Sequence, residues 1–406
     1  MKAAWRKIRA ALFKTRFRRL LLLGLLLCSL PIGGCGVVLV LWTMPIYRGH
    51  LDSILNPQAT GGLIYFHDSV REVPWSMHVV KLSRAAKELE LHSTLGRGIC
   101  LGMGRVSDQI KLLPSAWGRP MAAVNGDLFN NHPDYPGDPE GLQIAHGELV
   151  SGPSPTRACF WLDGEGNPQR GDVTAQFVVT WPEGKAMPFG LNEARAADAA
   201  VLYTAAVGTT TRAPGGLELI LEQEGSGPWL PLQIGQTYTA RVGALNPNGN
   251  SPLTNGSLVL SLGPELLASL PAPAVGTVLQ LSTATTPSLT SVQTAIGGGP
   301  TLVAGGKARE WSGLRLRHPR TAIGWNQESL FLVVVDGRQL GLSAGMTFNE
   351  LAEYLVKLGC QEAIGLDGGG SATCWAYGMV VNSPSQGRER PSANALVVLK
   401  TGPRKP

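Results

Sequence analysis

From Trp75 onward the chain has no internal repeat, no heptad and no long charged or Gly/Ser-rich linker. Solenoids, coiled coils and modules on flexible tethers are excluded. A basic excess is also missing once the N-terminus is set aside. Residues 1–19 hold eight Lys and Arg and no acid, and the remainder carries 27 basic against 29 acidic residues. A globular part without basic excess lacks the electrostatic footprint of a nucleic-acid binder, so nucleic acid is not expected as a partner. Metal-ligand spacing is absent among His67, His78, His92, His132, His146 and His318, and His50 stands apart near the N-terminal segment. No two of the six cysteines have such spacing either. Cys100, Cys159, Cys360 and Cys374 allow three pairings. A Cys360–Cys374 bridge and free buried thiols are both open readings.

The one long apolar run is Leu20 to Trp42, uncharged throughout and long enough to span a bilayer. The basic flank places the N-terminus in the cytoplasm. A cleaved signal peptide usually has a shorter apolar region. Ile32-Gly-Gly-Cys35 resembles a lipoprotein cleavage site, yet more membrane-like sequence follows it where a polar tether is expected. The reading is therefore a cytoplasmic tail at 1–19, a transmembrane signal anchor at 20–42, a connector at 43–74 and an extracytoplasmic domain at 75–400. That domain would face the periplasm or the cell surface on a single-pass membrane protein.

Two carboxylates are presented alike. The apolar run Ala363 to Leu366 delivers Asp367 into Gly368-Gly-Gly-Ser371, where glycines allow sharp bends and close approach of a ligand. Leu330 to Val335 reads as a buried strand that ends at Asp336-Gly337-Arg338. Between them lies a helix with Thr347 as N-cap, Glu350 completing a capping box, and Gly359 as stop. Strand, helix, strand predicts a βαβ unit with both aspartates on one rim, where ligands of open α/β sheets collect. The bland alternative, that each Asp only caps a turn, loses weight because two fall on one predicted rim.

The middle, 160–295, is rich in short strand-like runs: Ala175–Thr180, Val201–Ala206, Leu217–Glu222, Tyr238–Ala244, Leu258–Leu262 and Val278–Leu281. The fold expected is α+β: a mixed sheet scaffold with a βαβ unit near the C-terminus and a β-rich inserted middle lobe. Further site-like clusters are Asn125-Gly126-Asp127 after a short apolar strand, Gly297-Gly-Gly-Pro300, and Arg320 and Thr321 at the entrance to another strand. Arg390 and Asn394 follow near the end. Arginine suits bidentate recognition of phosphate.

In order, Ala123-Val-Asn-Gly-Asp-Leu-Phe129, Gly297-Gly-Gly-Pro300, Pro319-Arg-Thr-Ala-Ile-Gly324, Val333-Val-Val-Asp-Gly-Arg338, Gly345-Met-Thr347, Leu366-Asp-Gly-Gly-Gly-Ser371, Val381-Asn-Ser383 and Arg390-Pro-Ser-Ala-Asn-Ala395 resemble the phosphodiester glycosidase family. The resemblance runs over about 75–400 and makes the β-rich middle part of the same domain. It implies hydrolysis of an N-acetylglucosamine-1-phosphodiester-like substrate to free sugar and a phosphomonoester, with a glycan or glycoconjugate as partner and a role in envelope or exopolysaccharide metabolism. Two departures stand out. Asp127 occupies a position where a small residue is common, and Ser392 one where Val is frequent.

On these residues Asp336 and Asp367 are the expected catalytic pair, one activating water or stabilising the anomeric carbon, the other acting as acid or orienter. Arg320 and Arg390 would hold phosphate, and Asn125, Asp127, Gly298, Gly299, Thr321, Arg338, Gly368, Gly369, Gly370, Ser371 and Asn394 would line the substrate. A third carboxylate at Asp127 would favour a divalent cation, Ca or Mg, which the sequence does not require. Two rivals remain at this level. A non-catalytic polysaccharide-binding protein would keep the pocket, and any of Asp336, Asp367, Arg320 or the glycine triplet turned away would favour it. A metal phosphodiesterase would need more histidine ligands than the spacing offers.

Overall fold

The computed structural model describes residues 61–70, 72–312 and 316–402. The predicted tail, anchor and most of the connector lie outside them. Among the described residues no helix is long and apolar enough to cross a membrane.

The chain is mostly β. A seven-stranded sheet runs in the order Leu63–Val70, Trp75–Ser83, Ser329–Val335, Arg320–Trp325, Glu362–Gly365, Thr301–Ala304 and Lys307–Ala308, antiparallel at every pairing. A five-stranded sheet joins Met379–Val380, Cys374–Ala376, Arg119–Asn125, Ala395–Lys400 and Leu89–Ser93. The middle of the chain folds into an eight-stranded sheet spanning residues 174 to 286, and a second five-stranded sheet is built around Ala158–Leu162 and Thr294–Gly297. Of the six runs read in the middle, Leu258–Leu262 is a strand with those bounds; Val201–Ala206 stops as a strand at Tyr203 and passes into a 3-10 turn at Ala205–Val207.

The expected βαβ unit takes a different form. Ser329–Val335 and Glu362–Gly365 flank the helix Phe348–Lys357, but Arg320–Trp325 lies between them and pairs antiparallel with both. The two strands thus run the same way without sharing a ladder, and their carboxyl ends leave the same edge of the sheet. The helix starts as its sequence dictates. Thr347 Oγ1 accepts from the Glu350 N–H, and the Glu350 carboxylate accepts from the Thr347 N–H.

Ser329–Val335 is apolar throughout because the sheet is covered on both faces. Phe331, Val333 and Val335 pack with Leu351, Ala352 and Leu355 of the helix, while Leu330, Leu332 and Val334 face a second core shared with Val124, Phe160, Ile296 and Val398. Alternating residues then belong to different cores, as the two-residue period of a strand requires.

Candidate active site

The sheet edge that releases residues 336 and 367 borders an open cavity of about 890 Å³. It is lined by Asp367, Gly368, Gly369 and Gly370, by Arg320, Arg338, Arg390, Arg157 and Arg309, and by His318, Gly299, Trp311 and Phe348, among others.

Asp367 follows directly from its strand. Its backbone is fixed from behind: its N–H donates to Gly126 O at 2.9 Å and its carbonyl accepts from Asn125 Nδ2 at 2.6 Å. Gly369 has φ 59° and donates its N–H to Pro319 O, which shapes the turn. A Cβ on Gly368 would stand 2.6 Å from that same carbonyl oxygen, so no side chain fits there. The Asp367 carboxylate accepts from Arg390 Nη2 at 2.9 Å and is 13 % exposed, enough to meet a ligand. Burial pushes its pKa up; hydrogen bonds from Ser371 and Arg390 and the guanidinium charge pull against that rise.

Opposite stands a group of cations with no carboxylate within 4.0 Å among the described residues. Arg320 spends Nε on Met346 O at 2.9 Å and Nη2 on Leu316 O at 3.2 Å, and its guanidinium lies 3.9 Å from the Phe348 ring centre. Burial and the neighbouring Arg338 lower its pKa to about 10, so it stays charged. Arg338 Nη2 lies 3.0 Å from His318 Nδ1. Burial, then Arg320 and Arg338, lower the His318 pKa; in the neutral ring Nδ1 accepts from Arg338 and the proton sits on Nε2. Arg338 itself has φ 58°, a left-handed conformation that costs a non-glycine residue ~1–2 kcal/mol. Cations gathered without counterions, one on a strained backbone, form a receptor for an anion.

Asp336 does not line this cavity, contrary to the expectation of two carboxylates on one rim. It is buried, and its oxygens are taken by Ser76 Oγ, His78 Nε2, Asn382 Nδ2 and the Ser383 N–H, each at 3.0 Å. The chain turns inward at once after Val335, and this carboxylate anchors the turn that carries Arg338. Four other expected ligands also serve as framework. Asn125 Oδ1 accepts from Thr321 Oγ1 and the Thr373 N–H, clamping three segments. Asn394 joins Gln143 to the Asp127 N–H, and Ser371 is buried with its hydroxyl against Arg390. Gly298 is buried behind Gly299, its carbonyl accepting from Arg157 Nε at 2.8 Å.

Asp127 is fully buried and pairs with Arg157 at 2.6 Å; burial drives its pKa up to about 7, against the pull of that guanidinium. The three aspartates thus do not converge: each has its own partners, and among the described residues no three His, Cys, Asp or Glu side chains are arranged so that they could hold a metal ion. Arg157 and His318 reach the cavity and were missed by sequence reasoning. Arg157 lies in no glycine-rich or strand-end motif; His318 stood two residues from the singled-out Arg320. All four described cysteines are free, so no bridge pins the Asp367 loop.

The sequence model of the phosphodiester glycosidase family matches residues 233–399, a shorter stretch than 75–400 and one that leaves Asn125-Gly-Asp127 outside. An uncharacterized protein of Bacillus subtilis strain 168, the SPbeta prophage-derived YomE, is 37 % identical over 89 residues, which are 22 % of this chain and 14 % of that one. A solved structure from Synechocystis superposes with a TM-score of 0.65 at 20 % identity, covering 84 % of this chain and 62 % of the other. One from Burkholderia pseudomallei K96243 gives 0.61 at 22 % identity over 80 % and 74 %. These two share the fold. Arg320, Arg338, Asp367 and Arg390 all fall within residues 233–399, the stretch that matches the phosphodiester glycosidase family.

Proposed function

We propose that the protein hydrolyses the glycosidic bond of a sugar-1-phosphodiester, of the N-acetylglucosamine-1-phosphodiester type, and does so on the outer side of a membrane in envelope or exopolysaccharide metabolism. The observation that carries the reading is one cavity lined by two arginines without a carboxylate partner, Arg320 and Arg338, with His318 beside them, and by a largely buried carboxylate, Asp367. The cations hold the phosphate. Asp367, held by Arg390, takes a proton from water whose oxygen bonds to the anomeric carbon; the C–O bond to phosphate breaks and its electron pair leaves with the phosphate. That leaving group is already a weak base, so its charge needs neutralising more than its oxygen needs a proton. A single carboxylate then suffices. Residues 1–42 support the location, with a basic tail followed by an apolar run of bilayer length.

One observation favours the second reading, a non-catalytic glycan-binding protein. Asp336 is turned away, where glycosidases ordinarily use two carboxylates. Full-length protein with a GlcNAc-1-phosphodiester, products read by phosphorus NMR, decides between them. Free GlcNAc and a phosphomonoester, lost in Asp367→Asn, support the hydrolase. GlcNAc-1-phosphate would mean P–O cleavage, and binding without turnover would leave the glycan-binding reading.

A further inference from the structure

Resting on that hydrolase reading, we propose that the protein cuts internal linkages of a phosphodiester-linked glycan, with sugar units bound on both sides of the scissile bond. The main cavity is continued at both ends. At one end Trp311 and Phe348 line it together with an adjoining space of about 620 Å³ that reaches Arg317 and Asn349. At the other, Asp367 and Arg390 line it together with a space of about 340 Å³ that reaches Met103, Phe129 and Asn131.

The shared residues give the cleft a direction. The anomeric carbon must meet Asp367, and the phosphate bonded to it lies on Arg320, Arg338 and His318. The alcohol part of the diester then continues toward Trp311, while the sugar being cut lies toward Asn131. A site for a terminal sugar would be closed behind that sugar; here the space past Asp367 stays open to solvent, so the chain can continue beyond the sugar being cut.

Both ends are built for rings. Arg320 lies over Phe348 and Arg390 over Phe129, with 3.9 and 5.7 Å from guanidinium carbon to ring centre. Trp311 is 39 % exposed yet fixed, its backbone N–H donating to Asn349 Oδ1 at 2.8 Å and its ring 6.0 Å from that of Phe348. An exposed indole in a space also lined by Arg317 and Asn349 offers a flat apolar face among polar side chains, which suits a pyranose better than an acyl chain.

The test uses full-length protein, a hexamer of α-GlcNAc-1-phosphate units bearing a bulky fluorescent cap on its terminal sugar, and the methyl ester of GlcNAc-1-phosphate. Capped fragments of intermediate length at low conversion are expected. Trp311→Ala should raise KM for the hexamer about tenfold, equal to ~1.4 kcal/mol, and leave that for the methyl ester unchanged. Release of single terminal sugars only, an inert capped hexamer, or an equal effect of Trp311→Ala on both substrates would overturn the proposal while the methyl ester is still cut. If neither substrate is cut, the hydrolase reading itself fails.

Discussion

Arg320 and Arg390 both lie over a phenylalanine ring, yet only Arg390 has a carboxylate of its own, Asp367. Under the proposed function that difference separates the anion receptor from the water-activating group. Asp367→Asn should lower kcat by about 10²–10⁴-fold, the usual worth of a positioned base, with little change in the unfolding temperature. The base works ionised, and burial raises its pKa. The acid limb of kcat/KM should therefore lie above the ordinary carboxylate range, with activity falling as pH drops through it. An acid limb at the usual value would contradict the assignment. Asp127 supplies a stability prediction of opposite use. Its folded pKa of about 7 exceeds the unfolded 3.8, so the folded state keeps a proton that the unfolded chain gives up. Stability from this group is full below about pH 4 and is lost as pH rises through about 7. Asp127→Asn removes that slope, so thermal unfolding should show the variant gaining on the wild type between pH 4.5 and 7.5. Parallel curves would show that Asp127 is already ionised at the lower pH. At this scale a strand ending in Asp-Gly marks a cavity residue at Asp367 but a buried anchor at Asp336, and amides are less legible still. Asn125 and Asn394 follow the same local signals as a ligand would, but their partners are backbone groups and side chains more than 190 positions away, such as Asp367 O and Gln143.

The helix Phe348–Lys357 and the strand Ser329–Val335 are the elements the sequence describes best, because their determinants are local. The capping box needs only Thr347 and Glu350, and Thr347→Ala should cost about 1 kcal/mol in chemical denaturation. The strand's continuous apolar run correctly signals burial on both faces, a pattern typical of parallel sheets. Here it arises in an antiparallel sheet sandwiched between a helix and other strands. Which strand slips between two others is decided by long-range pairing, and nothing within residues 320–365 reveals it. The loop after Glu362–Gly365 makes a sharper forecast. Gly368→Ala would drive a methyl group against Pro319 O, so activity should fall sharply although the substitution adds a single carbon. A variant with wild-type turnover would mean that the loop shifts freely and that its shape does not set the position of Asp367.

At the scale of the whole molecule, charge is distributed unevenly. Beyond the N-terminal tail acids slightly outnumber bases, yet five arginines and a histidine line one cavity. A diffuse basic surface would attract any polyanion and lose it steeply with salt. A local cluster in which Arg320 is half-buried and held by two carbonyl oxygens is screened much less. Raising ionic strength from about 0.1 to about 1 M shortens the Debye length from ~10 to ~3 Å, so exposed charges cease to act at a distance. Under the proposed function KM for a small sugar-1-phosphodiester should then rise only a few-fold, because the phosphate touches its arginines directly. Arg320→Lys should raise it more at every salt concentration, since an ammonium cannot keep both carbonyl contacts, stack on Phe348 and still face the ligand. A KM that climbs with a steep power of salt in the wild type, and a lysine variant indistinguishable from it, would instead make the cluster a non-specific attractor. The phosphate would then have to be recognised elsewhere in the cleft.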